Sequence, residues 1–168
     1  SALLRDPVGG KYVNLCTTSS DLNKNDIYGH VSNIAMKYMQ DDDSAIAGFW
    51  KERGISRALA KKPVMTYVYS AVLSSTADWI EDEVHADTGW PEWIDRGEAS
   101  RYAAKLLFKG IEATVPAVCS LMRWLKEVAG DCSKKGPMLW RTPTNFPVWH
   151  DYRETDDHRV KVASCGAV

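Results

Sequence analysis

The sequence lacks several features that mark particular classes of protein. It has no run of about 18 apolar residues of the kind that spans a membrane, and its first residues lack the charged and apolar regions of a signal peptide. Its four cysteines and four histidines are dispersed, without the Cys-x2-Cys or Cys/His spacing of a zinc site. We therefore expect a soluble, intracellular protein with free thiols and no metal ion of its own.

The net charge also gives no support to an extended nucleic-acid interface. The chain has 21 basic and 22 acidic residues, a formal net charge of −1, and its 45% apolar content is ordinary for a globular protein. The charge is uneven, because residues 51–62 contain five cations against one anion, Glu52. A basic segment in acidic surroundings favours binding of phosphates at one place over binding along a DNA duplex.

Apolar periodicity predicts a mainly α-helical chain with a small β element near its C-terminal end. We predict a loop over residues 1–18, with an extended segment at 11–15, and no linker that would divide the chain into domains. Helices are predicted at about 27–39, 44–53, 57–69, 72–84 and 99–130, the last divided at Pro116, and a β element at 138–163 with a hairpin and a third strand at 159–163. Pro63 predicts a kink or a 3₁₀ turn, because proline lacks an amide donor and crowds the carbonyl of Leu59.

The helix predicted at residues 57–69 has the most informative pattern. Ser56 is a good N-cap, and Arg57, Lys61, Met65 and Tyr69 follow at spacings of four, so they drift by only about 40° per step along one stripe. Thirteen residues at about 1.5 Å each extend about 20 Å, enough to span a nucleoside triphosphate. The cations at one end of the stripe suit the phosphates of such a ligand, and the phenol at the other end suits its sugar. The alternative is a solvated basic face, with Met65 and the two tyrosines packed inward.

The pattern Arg-x3-Lys-x7-Tyr formed by Arg57, Lys61 and Tyr69 resembles the fingers helix of the single-subunit polymerases. That helix is shared by the phage and mitochondrial type RNA polymerases and by the family A DNA polymerases. The DNA enzymes usually have an aromatic residue four positions after the lysine, whereas the RNA enzymes have Val-Met-Thr, as residues 64–66 do here. Further similar segments lie at 1–10, 13–15, 26–29, 101–106, 122–126 and 140–149. The chain therefore resembles a phage-type DNA-directed RNA polymerase up to about residue 152.

The resemblance implies a role for each residue of the stripe. Lys61 is implied to be the catalytic lysine, which neutralises or protonates the leaving pyrophosphate. Arg57 is implied to hold the β and γ phosphates, with Lys62 as a neighbouring cation. Tyr69 is expected near the sugar, unless it is a core tyrosine, and Met65 near the base or the template.

The resemblance further implies that residues 1–168 are the helical fingers subdomain of a right-hand polymerase. The two metal-binding aspartates of the family lie in motifs that this sequence does not contain, one expected before Ser1 and the other beyond Val168. We therefore expect Mg²⁺ to act in the complete enzyme, with none bound by this chain, which is expected to be inactive alone. Ser70 replaces the usual glycine after the tyrosine, which puts a close backbone approach there in doubt.

The implied partners are nucleoside triphosphates, the DNA template, the RNA product and the palm and thumb segments of the polymerase, with no membrane. The implied location is the cytoplasm of a phage-infected bacterial host rather than the mitochondrial matrix. Two alternatives are a fragment of a family A DNA polymerase, against which Met65 argues, and a non-catalytic helical DNA-binding module. Such a module would bind DNA with a steep salt dependence and without preference for nucleotides.

Overall fold

A computed structural model describes residues 2–16 and 24–151. The described chain is mainly α-helical and ends in a two-stranded antiparallel sheet, which confirms the predicted fold class. The helices are α1 (Pro7–Tyr12), α2 (Ile27–Tyr38), α3 (Ala45–Arg53), α4 (Arg57–Tyr67), α5 (Leu73–Asp87), α6 (Arg96–Thr114) and α7 (Pro116–Ser133), and the strands are β1 (Met138–Arg141) and β2 (Pro147–His150). None of the helices in these two ranges is long and apolar enough to cross a membrane.

Short polar side chains begin most of these helices, where the first amides have no partner within the helix. The Ser56 hydroxyl accepts a hydrogen bond from the Leu59 amide at 3.1 Å, and the Asp26 carboxylate accepts one from the Tyr28 amide at 3.2 Å. Ser44 and Asp95 cap α3 and α6 in the same way. The predicted starts of α2, α3 and α4 are confirmed, as is the division of the long C-terminal helical segment at Pro116.

The chain divides into two compact units, with the boundary in α7 between Trp124 and Leu125. In the first unit, α6 is the central helix, and most of its small and apolar residues are buried. Trp50 of α3 is fully buried and donates its indole N–H to the carbonyl of Ala99 at 2.9 Å. Helix α2 approaches α6 closely at Gly110, where a Cβ atom would lie 2.9 Å from the carbonyl oxygen of Val31. Packing against α6 thus holds α2 and α3 in place.

The second unit contains the predicted hairpin. Strands β1 and β2 pair with Met138 opposite His150 and Trp140 opposite Val148. The turn closes through a hydrogen bond from the Thr142 amide to the carbonyl of Phe146 at 2.9 Å. Asn145 has a φ of 64°, which asparagine tolerates better than most residues. The hairpin is confirmed, whereas the third strand predicted at 159–163 lies outside the described residues.

Several predicted boundaries are wrong. The predicted N-terminal loop contains α1, because Asp6 caps its first turn at the Val8 amide and Pro7 takes the first helical position. Helix α7 continues past the predicted end at residue 130 to Ser133. Helix α4 runs as α-helix through Pro63, so of the predicted kink or 3₁₀ turn the second is absent from this helix, and Pro63 is buried. The same helix ends at Tyr67, two residues before its predicted end.

Candidate functional site

Helix α4 has one buried side and one exposed side. Leu59, Ala60 and Pro63 are buried, so this side of the helix packs into the first unit. Arg57, Lys61 and Met65 are exposed, and the exposed fraction of Met65 is 50%. These three residues of the predicted stripe therefore lie on the exposed side of α4. Of the alternative of a solvated basic face, the inward packing of Met65 is wrong.

Arg57 has a partner that the sequence analysis did not identify. Its Nε donates a hydrogen bond to Oδ2 of Asp26 at 2.6 Å, which forms an ion pair between α4 and the start of α2. The guanidinium also lies over the ring of Tyr28, 5.1 Å from the ring centroid. The hydrogen bond from Arg57 is the main reason that the pKa of Asp26 lies below its ordinary value. Asp26 and Tyr28 are 31 and 29 positions before Arg57, so helical spacing gives no signal for this cluster.

The two lysines of α4 have different surroundings. The ammonium of Lys62 lies 4.9 Å from the centroid of the Trp79 ring, a cation–π contact with α5. Lys62 also lines a cavity of about 220 Å³ together with Pro63 and Thr66. The exposed side chain of Lys61 makes no hydrogen bond or ion pair with another group in residues 2–16 and 24–151. Lys61 is therefore the stripe cation whose charge no described protein group offsets.

The C-terminal end of α4 is held by Tyr67. Its ring packs edge-on against Phe108 of α6, with the centroids 5.2 Å apart, and its hydroxyl lies 3.4 Å from Oε1 of Glu112. Burial is the main reason that the pKa of Tyr67 is raised far above its ordinary value, and Cys119 and Glu112 add to the shift. Of the two tyrosines at this end of the helix, Tyr67 is the one that faces inward.

Tyr69 lies in the turn that follows α4. The amides of Tyr69 and Ala71 both donate to the carbonyl of Thr66, at 2.9 and 3.2 Å, which reverses the chain before α5. The exposed fraction of Tyr69 is 84%, so the alternative of a core tyrosine is wrong. Ser70 has a φ of 66°, the left-handed conformation that glycine adopts most readily. The turn conformation that favours glycine is therefore present although the residue is serine.

A second concave surface is lined by residues of α3, the start of α4, the end of α5 and the loop before α6. A cleft of about 950 Å³ is lined by aromatic residues of α3 and of the loop before α6, including Phe49, Trp90 and Trp93. Trp90 stacks on Phe49, with the ring centroids 5.4 Å apart, and donates its indole N–H to the carbonyl of Glu81 at 3.1 Å. Trp90 is therefore a packing residue, whereas Trp93 is 64% exposed.

The residues near the stripe do not fit a divalent metal ion. Two-metal catalysis needs free carboxylates that share the ions. The Asp26 carboxylate beside Arg57 is already bound by the Arg57 Nε and by the Tyr28 amide. Elsewhere in residues 2–16 and 24–151, His, Cys, Asp and Glu do not gather in groups of three or more that could hold a metal ion. The stripe offers cations to an anionic ligand.

Comparisons with known proteins agree on one family. The model of the DNA-dependent RNA polymerase family matches residues 1–166. The chain is 33% identical over 174 residues to the DNA-directed RNA polymerase of Pseudomonas phage phiKMV, an alignment that covers 96% of this chain and 21% of the relative. It is 29% identical over 215 residues to T7 RNA polymerase of Escherichia phage T7, covering 99% of this chain and 23% of the relative.

The similarity extends to a mitochondrial enzyme. The chain is 31% identical over 172 residues to the mitochondrial DNA-directed RNA polymerase of Mus musculus, covering 96% of this chain and 13% of the relative. The chain thus spans about a fifth of the length of the phage relatives, with 21% of one and 23% of the other covered. It spans a smaller share of the mitochondrial one.

Proposed function

The chain belongs to the phage-type DNA-dependent RNA polymerase family, and on that premise we propose that α4 binds the incoming nucleoside triphosphate of such an enzyme. The observation that carries this proposal is the exposure of Arg57 and Lys61 one helical turn apart on the outer face of α4. Two cations at this spacing match the negative charges of neighbouring phosphate groups. Under this proposal, residues 1–168 form the fingers region of the complete polymerase.

The proposed reaction is nucleotidyl transfer. The 3′ hydroxyl of the growing RNA attacks the α phosphate, and the bond to the β phosphate breaks, which releases pyrophosphate. Negative charge then develops on the leaving group, and a fixed cation beside it stabilises the transition state. In our proposal Lys61 neutralises or protonates that leaving group, Arg57 binds the β and γ phosphates, and Lys62 raises the local positive potential.

The remaining stripe residues are proposed to contact the other parts of the nucleotide. Tyr69, exposed in the turn after α4, would meet the ribose, and Met65 the base or the template. Mg²⁺ in the complete enzyme would be held by carboxylates of other segments, since the residues near α4 do not fit the ion, and it would activate the attacking hydroxyl. The other proposed partners are the DNA template, the RNA product and the palm and thumb segments, in the cytoplasm of a phage-infected host.

The isolated chain is expected to bind triphosphates weakly through α4. Arg57→Ala and Lys61→Ala are each expected, as single variants, to weaken ATP binding about fivefold. The reason is that an exposed charge pair contributes at most about 1 kcal/mol. Titration of ATP and of inorganic triphosphate followed by NMR measures both affinities. Lys105→Ala, which removes an exposed lysine of α6, serves as the matched control and should leave both unchanged. Tight, strongly salt-dependent DNA binding without any response to ATP would instead identify a DNA-binding module.

We also propose that the 168-residue chain does not polymerise nucleotides by itself. Adding Mg²⁺ should not make the isolated chain active, because the carboxylates that would hold the ions are not among the residues near α4. The measurement is incorporation of labelled ribonucleotides on a primed DNA template with the purified chain and Mg²⁺. Templated incorporation above the level of a protein-free control would contradict the proposal.

A further inference from the structure

The Asp26 carboxylate makes two different contacts with its two oxygens. Oδ1 accepts the hydrogen bond that caps α2, from the Tyr28 amide at 3.2 Å. Oδ2 accepts the hydrogen bond from Nε of Arg57 at 2.6 Å. Because Arg57 begins α4, this second contact joins the start of α4 to the start of α2. The cap and the ion pair can therefore be separated by a substitution that keeps an acceptor but removes the charge.

Asp26 and a nucleotide phosphate would bind the same guanidinium. A carboxylate at 2.6 Å offsets most of the positive potential that Arg57 presents to an approaching anion, and it repels that anion directly. Both side chains are partly exposed, 58% for Arg57 and 40% for Asp26. Solvent therefore weakens the pair, and an ion pair of this kind contributes at most about fivefold to an equilibrium constant. A ligand with several negative charges can displace such a carboxylate.

We propose that Asp26 is an intramolecular competitor of nucleotide phosphate for Arg57, a latch between α2 and α4 that the arriving triphosphate opens. This inference rests on the proposed nucleotide site. The latch holds the first turn of α4 against α2 and places Arg57 over Tyr28. Phosphate binding replaces the carboxylate and frees the start of α4 from α2, so nucleotide arrival and movement of the helix are coupled. Asp26 is thus a regulatory residue, which does not itself touch the reacting atoms.

The test is Asp26→Asn in the 168-residue chain. Asparagine caps a helix as well as aspartate does but carries no charge, so α2 is retained while the competitor is removed. Binding of ATP and of inorganic triphosphate should tighten about twofold to fivefold. Most of the gain should disappear when Arg57→Ala is added, because Arg57 is the group that Asp26 occupies and only the relief of the direct repulsion then remains. Asp26→Ser, with a shorter acceptor that still caps α2, should show the same gain if the asparagine variant folds poorly.

Asp87→Asn is the matched control, because Asp87 is also a surface carboxylate paired with an arginine, Arg53, at 2.8 Å. It removes the same charge without touching Arg57, and the triphosphate affinity should not change. If Asp26→Asn leaves triphosphate binding unchanged or weaker, while Arg57→Ala alone still weakens it, the latch is overturned. The nucleotide site is then retained. If neither Arg57→Ala nor Lys61→Ala alters binding, the nucleotide site itself is refuted, and the latch with it.

Discussion

Replacing Lys61 by alanine in the complete polymerase is expected to slow nucleotide addition by about 100-fold to 1,000-fold. The loss of one preorganised charge-stabilising donor costs about 2.7 to 4 kcal/mol of transition-state stabilisation. Lys61 is exposed and no described protein group offsets its charge, so its ammonium is accessible to the phosphates of a ligand. Single-turnover measurement of nucleotide addition at saturating triphosphate separates this loss from weaker binding.

Two further variants sharpen the experiment on Lys61. Lys61→Arg keeps the positive charge, but its guanidinium does not release a proton at ordinary pH. A rate near that of the unmodified enzyme would assign charge neutralisation to Lys61, whereas a rate as low as that of Lys61→Ala would favour proton donation or a requirement for the compact ammonium. Lys105→Ala again controls for the removal of a surface cation. A loss below about fivefold in Lys61→Ala would make Lys61 a simple surface charge.

Changing Tyr69 to phenylalanine is expected to lower discrimination against deoxynucleotides by about 1 to 3 kcal/mol. A site that hydrogen-bonds a hydroxyl group rejects a substrate that lacks it, because the polar group of the protein is then left unpaired. Phenylalanine keeps the ring and removes only that polar group. Since Tyr69 is 84% exposed, the substitution should leave the thermal stability of the chain unchanged. The measurement is the ratio of kcat/KM for ribonucleotides to that for deoxynucleotides in the complete enzyme.

Tyr67→Phe is the control for the Tyr69 experiment, because it makes the same chemical change two residues away. The Tyr67 hydroxyl lies 3.4 Å from Oε1 of Glu112 on the inner side of α4. Removing this hydroxyl should therefore lower the thermal stability of the chain and leave the sugar selectivity unchanged. Opposite responses of the two variants would support the proposed role of Tyr69. An unaltered ratio in Tyr69→Phe would remove Tyr69 from contact with the sugar.

Much of the secondary structure was predictable because its signals are local. A capping side chain acts on amides two or three residues away, so Ser44 and Ser56 mark the starts of α3 and α4 directly in the sequence. Pro116 divides α6 from α7 for the same kind of reason, since it has no amide to donate to the preceding helix. Helical periodicity alone also places Arg57, Lys61 and Met65 on one side of α4, whereas the structure shows that this side is exposed. The family could be identified because these residues keep a characteristic order and spacing.

Only the tertiary structure decided where α4 ends and what Arg57 binds. Tyr67 is held by Phe108 and Glu112 of α6, more than 40 positions away, and the chain turns immediately after it. Tyr69 therefore lies in a turn, although its spacing continued the helical stripe. The pair between Arg57 and Asp26 likewise joins two helix starts that become neighbours only when the helices of the first unit pack together. Such contacts depend on how the helices pack, and periodicity along one helix carries no information about its neighbours.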